Sequence, residues 1–441
     1  MRYHPGSSVT KNVVIVGGGL AGLAASIYLA RAGRTVTVFE KRRALGGRAI
    51  TQLRQGYRFN LGAHAFYRAG HAAAVCKELG VPVPGVVPKP KGIALIEGEE
   101  RTLPMTILSL LTTSLLSIGG KMQLAAALWK IRRGVVDAGA LTLREWLDAN
   151  VRDARARQVL ASLIRLATYS DQADTASAPL SLAQMRVALR GALYVHEGWQ
   201  RIVDSMHSTA ISSGVNFVTS SRIVGVDCDD KGVRAVRLGG LEVDADRMDT
   251  LSIALPELSP EQVHGARLPA ETVILAVDPV CASELAGDAG KSWVDARPVT
   301  AACLDVALRT LPRPKRTFAL GIDESVYFAV HSVWAQLAPK GGALIHMIKY
   351  GAKNPAADEY ALEALLDRMQ PGWRDVLVHR RFLPSMTVSN ALATAASPRP
   401  PVQTSVPGLY LAGDWVGDEG LLSDAALASA RAASRAVLSL S

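Results

Sequence analysis

The chain has 441 residues, with 49 Lys or Arg against 39 Asp or Glu, for a formal net charge of +10. It is 49% hydrophobic, 20% charged and only 5% aromatic, a globular composition that excludes global disorder. Four cysteines, none in a CxxC pair, exclude a disulfide scaffold and give no reason to expect a structural zinc site or any other metal. At roughly 100–200 residues per domain, the length allows two to four units. The positive surplus leaves nucleic acid, a membrane surface and an acidic substrate open.

The first twelve residues are polar, and the apolar run Val13–Val16 is too short for a signal peptide. The longest apolar stretch elsewhere, 105–118, is shorter than the roughly 20 residues a spanning helix needs. With Cys76, Cys228, Cys281 and Cys303 scattered, the expectation is a cytoplasmic protein in a reducing compartment. Residues 11–16 (KNVVIV) read as a buried strand, followed at once by Gly17-Gly18-Gly19-Leu20-Ala21-Gly22, a G-x-G-x-x-G turn. An Ala/Leu-rich helix over 23–32, a Gly33 stop, a second strand over 35–39 and Glu40 complete the unit. Gly17 makes the tight turn, Gly19 lets backbone approach a pyrophosphate, and Gly22 lets helix and strand pack closely. The helix start, with Leu20 and Ala21, offers free N–H groups and a positive dipole end to phosphates. Glu40 is placed to accept from ribose hydroxyls.

After Glu40 come Lys41, Arg42 and Arg43, then Leu45-Gly46-Gly47-Arg48. Here the chain resembles the flavin-dependent amine oxidase and phytoene desaturase superfamily, in which such a basic stretch and GGR motif run along the FAD pyrophosphate and flavin edge. The stretch Phe59-Asn60-Leu61-Gly62-Ala63-His64-Ala65-Phe66 is similar to the family's D-x-G-x-H loop beside the flavin ring, with Asn60 where the family often has Asp. The resemblance implies that Leu61, Gly62, Ala63 and His64 face the cofactor; a structural histidine is an equal reading of His64.

In the middle of the chain, 191–204 resembles the family's Gly-Gly helix start, with Gly198-Trp199 in place of the glycines. The stretches 215–218 and 222–226 read as a strand pair, with Ile223 at the position whose backbone contacts adenine in relatives. The strand over 271–277 completes this half, and the long loop 244–269 has no assigned role. At the C-terminal end, Pro407-Gly408-Leu409-Tyr410-Leu411-Ala412-Gly413-Asp414 resembles the family's second FAD motif, before a loop over 415–424 and a helix over 425–440. The resemblance assigns Asp414 to the ribityl–phosphate portion and the backbone of Leu421, Leu422 and Ser423 to flavin N1 and O2. This segment holds no cysteine, so the FAD is expected to be noncovalent.

The expected fold class is α/β (α+β overall). A discontinuous Rossmann-like FAD-binding domain of the amine-oxidase type spans 1–88, 196–296 and 383–441. A substrate domain of antiparallel sheet plus helices spans 89–195 and 297–382. In the latter, 300–308, 317–322, 326–330 and 343–350 read as antiparallel strands and 357–370 as a helix, while 89–195 reads as mostly helical. The stretches 105–118 and 122–131 read as an apolar helical pair. Residues 101–165 carry ten basic against four acidic side chains. That combination fits a peripheral membrane contact through 105–131, the mouth of an apolar tunnel, or a buried helix pair with a solvated basic face.

Amine oxidases of the family carry a lysine in the strand after the second FAD segment, and 299–308 (VTAACLDVAL) has none. They also flank the flavin with aromatics, where this chain has Asp418-Glu419-Gly420-Leu421-Leu422. The resulting expectation is a dehydrogenase or desaturase moving a hydride from a small apolar, isoprenoid-like substrate to flavin N5, reoxidised by oxygen, a quinone or another carrier. The alternatives are an amine or protoporphyrinogen-like oxidase releasing hydrogen peroxide, and a noncatalytic flavoprotein or hydrophobic-ligand carrier. His64, Tyr67 and Glu197 are the ionisable catalytic candidates. No motif supports nucleic acid as a partner.

Overall fold

The computed structural model describes residues 12–89, 91–241 and 265–439. Its central sheet is parallel, in the order Asn216–Val218, Thr35–Phe39, Asn12–Val16, Thr272–Leu275, Leu409–Leu411. Side chains alternate across a strand, and here both faces are covered, so the strands read as continuous apolar runs. Val13 and Ile15 pack into a core shared with the helices Leu20–Arg31, Gln200–Ser212 and Leu422–Ser439. Val14 and Val16 pack on the other face with Val273, Leu275, Trp293 and Trp415. The last helix starts at Leu422, three residues before the expected Ala425.

The sequence reading pairs 215–218 with 222–226; the structure separates them. Asn216–Val218 joins the parallel sheet beside Thr35–Phe39, and Ser221–Asp229 pairs antiparallel with Gly232–Leu241. The break falls at Ser220, with φ 51°, where the N–H groups of Ser220 and Ser221 bond to Arg42 O and Glu40 O. Those bonds tether the turn to the end of the Glu40 strand. Of the loop 244–269, residues 244–264 lie outside the described residues, while Arg267–Pro269 forms a third strand beside Gly232–Leu241.

A second, seven-stranded sheet has the order Leu377–Ser389, Val299–Leu308, Ala343–Tyr350, Val326–Val330, Phe318–Gly321, Ile93–Ile96, Glu99–Thr102. It is mixed, because Ile93–Ile96 pairs parallel with Phe318–Gly321. The mostly helical reading of 89–195 missed this hairpin. The strand Leu377–Ser389 runs unbroken through residues 382 and 383, where the sequence reading divides its two domains. The helix Pro355–Met369, capped by Asn354, covers one face of the sheet, and helices drawn from 107–188 pack against the other.

The apolar run 105–118 is not one helix. A short helix Ile107–Thr112 opens with a Thr106–Ser109 capping box and stops at Thr113, whose extended backbone and hydroxyl bond to Thr102 O end it. Ser117 then caps a new helix, Ile118–Arg133. Side-chain oxygens that compete for backbone partners cut the run in two.

At Gly22 a Cβ would lie 1.9 Å from Gly17 O, so the helix Leu20–Arg31 sits on its strand only without that carbon. Gly22→Ala is expected to lower stability by about 1–3 kcal/mol or more through overpacking. Urea unfolding midpoints check this; an unchanged midpoint contradicts it.

Candidate functional site

The C-terminal ends of Asn12–Val16, Thr272–Leu275 and Leu409–Leu411 meet at one edge of the parallel sheet, where ligands bind in open α/β sheets. Gly17 follows the first of these strands with φ 108° and lies against Ala276, which follows the second. The Gly46-Gly47 turn folds onto the same place: Gly46 N donates to Gly18 O at 2.8 Å, and Gly19 and Gly46 form a β-bridge.

Gly19 differs from its neighbours. Cβ atoms at Gly17, Gly18 and Gly22 would strike protein atoms, whereas one at Gly19 meets nothing within 4 Å. Gly19 is the N-cap of the helix Leu20–Arg31 and offers no side-chain cap. As residues of the first helical turn, Ala21 and Gly22 have no intrahelical acceptor for their N–H groups. Open ground facing free N–H groups at a positive dipole end suits the phosphates of a nucleotide cofactor. Glu40 is buried, and its carboxylate accepts from Gly18 N at 2.8 Å and Arg42 N at 2.9 Å. Those bonds fix it at the strand end with lone pairs left over. Lys41 and Arg42 are exposed beside it. Ile223 is buried where the ladder with Gly232–Leu241 shifts register on both sides, an irregularity that frees backbone groups.

The two terminal motifs are joined by an ion pair. Arg48 Nη2 lies 2.7 Å from Asp414 Oδ1, and Arg48 Nη1 donates to Val388 O. The sequence reading gave Arg48 to a pyrophosphate; the structure engages it with Asp414. Asn390 donates from its backbone and side chain to the same carboxylate, and Arg399 donates to Asp414 O and Gly420 O. Burial alone would push the Asp414 carboxyl up, but Arg48 and the Asn390 donors outweigh it and hold the group below the usual carboxylate range. Asn390 and Arg399 were missed in the sequence because neither sits in a motif. Gly413 N donates to Ser429 Oγ, fixing the turn between the last strand and the last helix. Leu421 precedes that helix and Leu422 opens it at φ 57°; the N–H groups of Leu422 and Ser423 have no acceptor among the described residues. This second uncapped N-terminus can stabilise developing negative charge.

The loop Leu61-Gly62-Ala63-His64 packs against the second sheet. A Cβ on Gly62, at φ 80°, would strike the sulfurs of Met386 and Cys303. His64 Nδ1 donates to Gly62 O at 3.0 Å, a carbonyl being only an acceptor, and the ring packs edge-on to Trp199. Burial lowers its pKa to about 4, so the imidazole is neutral at neutral pH, and Nε2 has no partner among the described residues. Tyr67 is enclosed and donates to Ala167 O at 2.8 Å, and burial drives its pKa up. Glu197 is half-exposed and pairs with Arg201 at 3.6 Å. Of the three catalytic candidates, only His64 keeps an unengaged polar atom beside this loop.

The strand searched for a lysine holds Asp305 instead, fully buried. Its direct cross-strand neighbours are His346 and Arg381. His346 Nδ1 lies 2.6 Å from Asp305 Oδ1, and Arg381 binds both Asp305 and Asn60 O. Burial opposes the Asp305 charge, but His346 and Arg381 outweigh it and keep the carboxyl below its ordinary range. One rung of the sheet therefore ties down the loop carrying His64. An acid inside the apolar run VTAACLDVAL was the available signal.

A family model for flavin-containing amine oxidoreductases matches residues 20–290. The chain belongs to this family. Over 178 residues it is 31% identical to a Mycobacterium tuberculosis protein named as a flavin-containing monoamine oxidase, AofH, covering 38% of this chain and 39% of that one. Over 77 residues it is 43% identical to a limonene dehydrogenase polypeptide of Castellaniella defragrans, covering 17% of this chain and 14% of that one. The chain thus spans about two fifths or less of the length of these relatives. A solved oxidoreductase from Methanosarcina mazei shares the fold with a TM-score of 0.73 at 17% identity, over 96% of this chain and 99% of the other. The family's cofactor is a flavin, and the open ground at Gly19 and the two uncapped helix starts fit one.

Two substitutions test this geometry. Gly19→Ala, at φ −79°, leaves the fold unstrained but fills the open ground. It is expected to weaken flavin binding about tenfold or more while the apoprotein's Tm stays unchanged. Fluorescence titration checks this, and unchanged affinity contradicts it. Asp424, in the first turn of the last helix, is buried with Oδ1 accepting from Ala72 N and Oδ2 unpartnered. Burial raises its pKa from 3.8 to about 6, so the folded chain loses stability as pH rises between those values and stays penalised above them. Asp424→Asn is expected to raise stability at about pH 8 by up to about 3 kcal/mol and to leave it unchanged at about pH 4. Denaturant melts at the two pH values decide it; an equal effect at both contradicts the assignment.

Proposed function

We propose that the protein is an FAD-dependent dehydrogenase of desaturase type, holding FAD noncovalently and taking a hydride from one carbon of a small apolar, isoprenoid-like substrate while the neighbouring atom releases a proton to solvent, so that a double bond forms between them. The observation that carries the reading is the apolar surroundings of its flavin-facing positions. Ala63 belongs to one core cluster with Cys303, Tyr327, Tyr350, Tyr169, Leu182 and Met185, and Leu422, Met386 and Val388 pack against it. Two of the nearby charged groups are engaged with partners, Asp305 with His346 and Arg381, and Arg48 with Asp414. Predominantly apolar surroundings favour a hydrocarbon over a charged amine.

Bound FAD supplies the hydride acceptor. The protein's share is binding, orientation and exclusion of water. The Gly17–Gly22 turn and the helix it opens hold phosphate charge. Glu40 offers acceptors to ribose hydroxyls, and Ile223 an irregular backbone to the base. The start of the Leu422–Ser439 helix would hold the redox end of the cofactor and supply N–H groups to its negative charge. His64, neutral with a free Nε2 lone pair, offers a hydrogen-bond acceptor at the loop.

The match to AofH favours a second reading, an amine oxidase that passes electrons to oxygen as hydrogen peroxide. Anaerobic mixing separates the two. Bleaching of the flavin absorbance by apolar terpenes or polyenes, and not by primary amines, is the expected result. Bleaching by amines with peroxide release in air transfers the assignment to the second reading. No bleaching by either class contradicts an enzyme and leaves a ligand carrier.

A further inference from the structure

The helix Ile118–Arg133 is apolar on two opposite faces. Gly120, Leu124, Ala127 and Ile131 are buried against the helical lobe, as a packed helix requires. The opposite stripe, Ile118, Met122, Ala125 and Trp129, recurs at the same helical spacing and is exposed. Ile118 is 79% exposed, Met122 65% and Trp129 58%. A water-facing stripe should be polar, and this one is not. The preceding helix repeats the pattern, with Ile107 82%, Leu108 71% and Leu111 66% exposed. Lys121 Nζ donates to Leu111 O at 2.7 Å and so pins the end of the first helix to the second.

The charges around this surface are unsatisfied in a specific way. In the same lobe Arg101, Arg144, Arg155 and Arg157 pair with Glu99, Asp174, Glu97 and Asp148. Lys121, Lys130, Arg132 and Arg133 have no carboxylate within ion-pair distance among the described residues. Arg133 lies instead over the Trp129 ring, at 5.9 Å. No helix among the described residues is long and apolar enough to cross a membrane.

We propose that this face, residues 105–133, docks on the surface of an anionic lipid bilayer, with the apolar stripe entering the headgroup region and the four cations that lack a carboxylate partner meeting lipid phosphates. Protruding side chains on two short helices suit a deformable apolar medium, whereas a protein partner needs a matching hollow. A tryptophan at the rim with cations alongside is the usual dress of such an interface. A second copy is the wrong occupant: a two-fold contact sets the same patch against itself and brings the unpaired cations together.

The test is sedimentation of the full chain with vesicles of phosphatidylcholine alone and with about one third phosphatidylglycerol. Wild type is expected to bind the anionic vesicles preferentially, and to release as salt rises from about 0.05 to about 0.5 M. The variant Ile107→Glu/Leu111→Glu/Trp129→Glu changes only exposed positions and should lose binding about tenfold or more, with flavin content unchanged. Lys130→Glu/Arg133→Glu should abolish the preference for anionic lipid. Absence of vesicle binding, or equal binding by wild type and both variants, overturns the proposal. A wild-type dimer that the triple variant dissociates, without vesicle binding, assigns the face to a second copy and also overturns it.

Discussion

The parallel pairing of Asn12–Val16 with Thr35–Phe39 on one side and Thr272–Leu275 on the other is the constraint from which the site follows. Parallel strands end on the same edge, so the turns after them converge. Adding Leu409–Leu411 beyond Thr272–Leu275 brings the end of the chain to that edge as well. Gly17, Glu40, Ala276 and Gly413 then become neighbours although the sequence scatters them. The Arg48–Asp414 pair closes this arrangement. Asp414 is buried but the Arg48 side chain is 41% exposed, and such a pair is weak evidence for stability, since desolvation and solvent screening offset most of its attraction. Its better use is registry: it fixes where the GGR turn and the last strand sit relative to one another.

The same division of labour appears at Asp305. It lies in one rung with His346 and Arg381, and Arg381 reaches on to Asn60 O. The rung couples the second sheet to the loop that presents Ala63 and His64. Charge in this rung is spent on holding backbone in place, and the core cluster around Ala63 is apolar. An apolar substrate and a neutral His64 are consistent with that economy, because an unpaired buried ion would be the costly alternative.

The glycine signatures were legible in the sequence because a close backbone approach leaves few other residues to choose from. Gly17, Gly19 and Gly22 could be given separate tasks from spacing alone, and the structure distinguishes them by what a Cβ would meet. The strands of the parallel sheet were legible as apolar runs, and the helix after Gly19 from its composition. Partners set by tertiary register were not legible. Nothing local says that Arg48 meets Asp414, that Asp305 sits between His346 and Arg381, or that Arg399 clamps the Asp414 loop. The pairing of 215–218 with 222–226 failed because a single residue, Ser220, turns the chain out of one sheet into another. The apolar run 105–118 misled for a different reason. Its composition was read correctly, but Thr106, Thr113 and Ser117 divide it, and its exposure was visible only in three dimensions.

A flavin dinucleotide held between the two ends of the chain is the claim on which the rest stands. The most direct measurement is the absorption spectrum of the purified protein, followed by heat denaturation and chromatography of whatever is released. A flavin spectrum, with free FAD recovered in about one equivalent and no chromophore left on the polypeptide, is the predicted result. A colourless protein that added FAD does not reconstitute would contradict the claim at its centre.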